Sequence, residues 1–237
     1  MATDGAAPSV APARYGPLVH RSVRHGAILF IAGVVIFLVA MIVTQIGYGS
    51  SYSLTHNYIS DLGAVNCHQF AGRYVCSPWH DVFNFSIILF GVLLLLGTIL
   101  LRTAFPPRGT RTVGLVLLVL AQFGAIGVGL FPEDVNLSVH SLSAATAFIG
   151  GNLALIVLGV AMFRDTRWDG FRAYSMFSGL IGLIAFALFE GKAYGPLGVG
   201  GMERLIVAPV ILWALVVGIH LARIPTYAPA GLRQSRA

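Results

Sequence analysis

Six uninterrupted apolar runs dominate the chain, at residues 26–48, 82–101, 112–131, 141–163, 173–189 and 205–222. Each falls within the roughly 17–25 residues that a helix needs to cross a hydrocarbon layer. The runs do not alternate, which argues against barrel strands. Inside a bilayer the backbone must satisfy its own hydrogen bonds, so each run is expected to be a helix. Composition agrees. Residues are 57% hydrophobic and only 10% charged, against about 25% charged for a soluble domain. The expected architecture is all-α, a polytopic bundle of six transmembrane helices over residues 26–223. A flexible tail, 1–25, is expected before it, and a second tail, 224–237, after it. No small-residue cleavage site follows the first run, so that run reads as a retained helix.

Arginine placement sets the expected orientation. With the N-terminus inside, twelve of the fifteen cationic residues fall on the inner side, leaving Arg73, Lys192 and Arg204 outside. The positive-inside rule then predicts that both termini are cytoplasmic. The net charge of +6 is a topology signal. It forms no basic stripe with interleaved aromatics, so no nucleic-acid partner is expected. Six acids gather on the expected outer side: Asp61, Asp81, Glu133, Asp134, Glu190 and Glu203. Acids carry little weight in topology, so their one-sided placement asks for another reason.

The outer loop, 49–80, is long, and loops of that length are often functional. It holds both cysteines, Cys67 and Cys76. A disulfide is the leading expectation for an oxidising exterior. A zinc-like site with His68 and His80 is the alternative, although the spacing matches no standard finger. Free thiols are the third reading.

Charge also opens three of the expected helices on that side. His80 and Asp81 precede the second, Glu133, Asp134 and His140 the fourth, and Glu203 and Arg204 the sixth, while Glu190 ends the fifth. Capping is the plain reading, because carboxylates complement helix N-termini. The sharper one is a shared site. His140, Asp134, Asp61, Asp81 and Glu190 are the candidate acid–base groups. Asn57, Ser60, Arg204 and Glu203 are candidate ligand-binding residues, with Arg204 suited to a phosphate. His80, Asp81 and His140 are candidate ligands for a divalent metal. Neither H-E-x-x-H nor G-x-S-x-G is present. Gln45, Gln122 and Asn152 lie in apolar runs, where interhelical hydrogen bonding is the ordinary role.

Three stretches carry a resemblance: "HNYISDLGA" from His56, "GLFPEDVNLSVHSLSA" from Gly129, and "GGMERL" from Gly200. They resemble the prokaryotic membrane family known as domain of unknown function 998, over about residues 26–222. That resemblance implies the plasma membrane of a prokaryote and brings no established activity. "YISDLG" is also similar, more distantly, to a segment of DRAM/Sfk1-type six-helix membrane proteins, which implies a link to membrane lipids. Leu62 stands where those proteins have threonine, and their proline-rich continuation is absent.

The function expected is lipid or partner binding and modulation, through a polar site at the outer membrane boundary. A membrane lipid is the expected partner, with no protein partner indicated. The alternative is a hydrolase or transferase acting on a lipid headgroup with the same His/carboxylate cluster. A transporter is the weaker alternative, since the runs hold no ionisable residue near the midplane.

Overall fold

A computed structural model of the protein describes residues 21–48, 52–163 and 165–224. The expected tails thus lie mostly outside the described residues. So do Arg14, Arg164, Arg233 and Arg236 of the orientation argument. Six helices form: α1 Arg21–Tyr48, α2 His80–Leu101, α3 Gly109–Leu130, α4 Leu137–Ala161, α5 Phe171–Glu190 and α6 Gly198–Arg223. All six are long and apolar enough to cross a membrane. Large apolar side chains such as Ile46, Phe85, Leu142 and Phe177 stay exposed, as a lipid-facing surface requires.

Two helices begin well before their apolar runs. α1 starts at Arg21, five residues earlier than hydropathy marks, and α6 at Gly198, seven earlier. Hydropathy stops at charge, whereas a helix stops only where its hydrogen-bond ladder ends. In α6 the extra turns include Glu203 and Arg204, whose charges are satisfied by the loop after α1.

The helices make a closed ring. Each packs on its neighbour in chain order, α1 closes against α6, and α4 also touches α6. Small residues permit the closest approaches. A Cβ on Gly26 would meet the Gly97 carbonyl oxygen of α2 at 2.9 Å, so α1 and α2 nearly touch backbones. Asn152 of α4 donates to the carbonyls of Phe148 and Ile206 at 2.8 and 3.1 Å, tying α4 to α6. Gln122 of α3 donates to Thr98 of α2 at 2.7 Å. Both therefore serve interhelical bonding. Pro209 lies buried inside α6.

At one end the ring is plugged by aromatics. Phe105 stacks on Trp168 at 5.1 Å and lies nearly parallel to Trp213 at 6.3 Å. The indole N–H groups are satisfied by the Ala104 carbonyl and the Ser175 hydroxyl, as buried Trp requires. His220 packs on Phe171 at 4.3 Å. In mid-bundle the ring encloses an apolar cavity of about 100 Å³, with Trp213 in its wall.

Candidate functional site

The other end of the ring is roofed by residues 52–79, and local hydrogen bonds explain the roof's shape. The Ser53 amide donates to Asn57 Oδ1 and the Asn57 amide to the Ser53 carbonyl, at 2.9 and 2.8 Å. The chain then enters a 3-10 turn, Ser60–Gly63. Leu62 is wholly buried, and its carbonyl accepts from the Ser77 hydroxyl at 2.7 Å. Asn84 of α2 donates to the Gly63 carbonyl at 3.0 Å. A hairpin follows, β1 His68–Phe70 paired antiparallel with β2 Arg73–Val75. A Cys67–Cys76 disulfide closes its base.

Asp61 is the hub. Fully buried, it accepts from Asn57 Nδ2 at 2.8 Å and from the Tyr58 amide at 3.1 Å. Arg73 reaches back from β2 and forks onto it, with Nε at 2.8 and 3.0 Å from the two oxygens and Nη2 on Oδ1. The same Nη2 donates to Glu133 Oε1 at 2.9 Å. The guanidinium also lies over the Tyr58 ring, 4.2 Å from its centre. One cation thus latches the hairpin to the turn and to the α3–α4 connection, in the bidentate geometry arginine favours.

Glu203 of α6 holds the turn from below. It accepts from the Ile59 amide and, at 3.5 Å, from the Ser60 hydroxyl. Arg204 donates to the carbonyls of Leu54, Asn57 and Gly200 at 3.1, 3.1 and 2.8 Å, and to the Tyr52 hydroxyl. Its donors serve the loop backbone and not an anion. Asp134 accepts from the amides of Val65 and Asn66 and from Asn66 Nδ2, at 2.8–3.1 Å. Burial opposes, but these donors win and hold its carboxyl below the ordinary aspartate value.

Beneath this roof lies a polar cavity of about 230 Å³. Tyr58, Ser60 and Arg73 line it from the loop, Glu133, His140 and Ser141 from the entry to α4, Glu190 from α5 and Glu203 from α6. Phe148, Phe186 and Phe189 of α4 and α5 line it too. His140 is buried, and its Nδ1 donates to the Phe131 carbonyl at 2.9 Å. In neutral imidazole that leaves Nε2 as the lone-pair nitrogen. Arg73 is shared between Asp61 and Glu133, so Glu190 and Glu203 are the two wall carboxyls with no cation on the wall left to pair with them. The cavity is acid-rich.

Of the residues singled out in the sequence, Ser60, His140, Glu190 and Glu203 therefore meet at one cavity. Asn57, Asp61, Asp134 and Arg204 build its roof. Asp81 stands apart, 95% exposed beside His80 with Nε2–Oδ1 at 3.3 Å. It lies in the first turn of α2, where a carboxylate complements the helix end, while Trp79 holds the cap position without a side-chain bond. Among the described residues no three His, Cys, Asp or Glu side chains are grouped to hold a metal. The cysteines form the disulfide and not a zinc-like site. Sequence reasoning gave no role to Arg73 and gave Glu133 no place in the shared site. The available signal was position, since Arg73 is one of three cations on the acid-rich side and lies between the two cysteines.

Glu133 makes a pH prediction. Burial and the neighbouring Asp61 carboxylate push its carboxyl up to about 9, with Arg73 pulling the other way. A carboxyl raised above its unfolded value of about 4.3 binds its proton more tightly in the folded chain. Its contribution is full below the unfolded value and lost as pH rises through the folded one. The thermal midpoint in detergent should therefore fall between about pH 5 and about pH 9. Glu133→Gln should flatten that fall. Equal slopes in both proteins would show that another group carries it.

The fold and the cavity define a class: a multi-pass membrane protein of six helices, with a latched loop roofing a polar cavity at one end. The chain belongs to the family described as Protein of unknown function (DUF998), whose model matches residues 31–220. No curated protein matches the chain. No solved structure matches it either.

Proposed function

We propose that the protein binds an amine-bearing membrane amphiphile, with the head in the polar cavity at the outer boundary of a cell membrane. The observation that carries this reading is the cavity's make-up: carboxyls and one imidazole at its top, and phenylalanines of two spanning helices at its side. An amphiphile needs both. The acid excess favours a cationic or zwitterionic head over a bare phosphate. Tyr58 and Phe189 lie edge to face at 6.0 Å, and aromatic faces suit ammonium groups. The arginine distribution supports placing the roof outside and both termini in the cytoplasm. The aromatic plug at the far end favours binding over passage.

The test is retention. Purified protein in detergent is mixed with equal amounts of a single-chain alkyl phosphoethanolamine and the matching alkyl phosphoglycerol and ejected into a mass spectrometer, and the amphiphiles that stay bound are counted. The amine-headed one should be enriched several-fold, and Glu190→Gln should lower that enrichment. Glu190 is exposed at the cavity mouth, so its loss leaves folding intact. Equal retention of the two amphiphiles sinks the reading. Release of free phosphoethanolamine during incubation, abolished by His140→Ala, would make the same site a hydrolase.

A further inference from the structure

Two cavities adjoin along a shared wall, the neck of the site proposed below. The polar cavity of about 230 Å³ and the mid-bundle cavity of about 100 Å³ share five lining residues: Ser60, His140, Ala144, Phe148 and Glu203. Above the neck the walls carry charge. Below it they are aromatic and aliphatic, from Phe37 and Phe90 near the middle to Trp213. The two amides that reach the lower wall, Gln122 and Asn152, have their N–H groups committed to Thr98 and to helix carbonyls. Their oxygens are buried without a hydrogen-bond partner among the described residues, Asn152 Oδ1 facing Gly182 of α5. The rest of that wall is apolar and suits an apolar ligand. A charged cavity adjoining an apolar one has the make-up of a site for one head and one chain.

We propose that the mid-bundle cavity takes the single hydrocarbon chain of the amphiphile whose head lies in the polar cavity. This rests on the reading above and narrows its ligand class. Capacity decides between one chain and two. A cavity of about 150 Å³ holds benzene, or roughly 25 Å³ per carbon. The lower cavity then accepts about four carbons, and the upper one roughly nine head and chain atoms. A short single-chain amphiphile fits. The two long chains of a phospholipid do not.

The experiment uses n-alkyl phosphoethanolamines of increasing chain length, with phosphoethanolamine and a two-chain phosphatidylethanolamine as comparison arms. Binding to the purified full-length chain is measured by calorimetry below the critical micelle concentration. Affinity should rise about fourfold per added methylene, the ratio that corresponds to about 0.8 kcal/mol, and then level off once the chain fills the cavity. Trp213, fully buried in the lower wall, is the reporter. With Trp79 and Trp168 replaced by Phe, bromine at the chain's methyl end should quench Trp213 more than bromine beside the head. Val207→Phe, at a position that lines the lower cavity and not the polar one, should abolish the length dependence and keep the binding of phosphoethanolamine itself. Intact Trp213 emission establishes that this variant is folded.

Head binding with no length dependence and no quenching overturns the chain placement and leaves the head reading standing. Affinity that climbs without levelling, unaffected by Val207→Phe, is bulk partitioning and also overturns it. Tighter binding of the two-chain lipid overturns the single-chain class. Failure of every amine-headed probe to bind removes the head reading, and this inference with it.

Discussion

Arg73→Met should destabilise the protein by about 3–5 kcal/mol, the usual consequence of removing one partner from a buried ion pair. Asp61 has no exposed surface and Glu133 very little, and the guanidinium bridges them. Without it two carboxyls face each other under the roof with only Asn57 Nδ2 and the Tyr58 amide left as donors to Asp61. Lysine at this position keeps the charge and loses the fork, so Arg73→Lys should recover only part of the loss. The check is a double-mutant cycle on thermal midpoints in detergent. Asp61→Asn combined with Arg73→Met should cost less than the two single changes together. Strict additivity would mean that the pair does not act as a unit. The same variants should weaken ligand capture, because the latch forms one wall of the polar cavity.

Gly200→Ala should have the next largest effect, about 3 kcal/mol, from overpacking and lost hydrogen bonds. A Cβ there would lie 2.1 Å from the Asn57 carbonyl oxygen and 2.7 Å from that of Leu54. Both are backbone atoms and cannot rotate away. They are also the acceptors that Arg204 uses, and the Gly200 amide itself donates to the Thr55 carbonyl at 2.9 Å. One methyl group would push residues 54–57 off α6 and break these bonds together. Gly201→Ala is the control. Its Cβ meets only Leu197, at 3.1 and 3.9 Å, so the helix gain of about 0.5–1 kcal/mol should offset the contact. If both alanines behave alike, the close approach at Gly200 is not what holds the roof down.

Hydropathy made the bundle legible, because crossing a bilayer imposes one length and one chemistry on every element. It failed where charge continues inside a helix, at Arg21 and at Glu203–Arg204. The site was partly legible from residue type. His140, Glu190 and Glu203 drew notice as ionisable groups on one side, and they share the cavity. What sequence spacing does not encode is pairing across the fold. Arg204 reads as a phosphate holder until its donors are found on three carbonyls. Asp134 reads as an acid–base group until two loop amides are found on it. Asp81 has the right type and the right end of a helix, but its side chain points to solvent. Arg73, the residue that organises the roof, lies in a hairpin whose position depends on Asp61 and Glu133, 12 and 60 residues away.

The grip of Glu203 on the first loop has a consequence for biogenesis. The carboxylate and the Ile59 amide are 144 residues apart, and they belong to α6 and to the loop that follows α1. In chain order the loop, Arg73 and Glu133 all precede α6, so the latch is complete in sequence before Glu203 is made. Ring closure and seating of the roof must then occur in one late step, when α6 arrives between α1 and α5. A nascent chain stalled after α5 exposes an open groove where α6 belongs, with the Ile59 amide and the Thr55 carbonyl left without their contacts on α6. Quality control that removes unfinished membrane proteins has a ready mark here. Arrival of α6 is the event that closes the ring and seats the roof together.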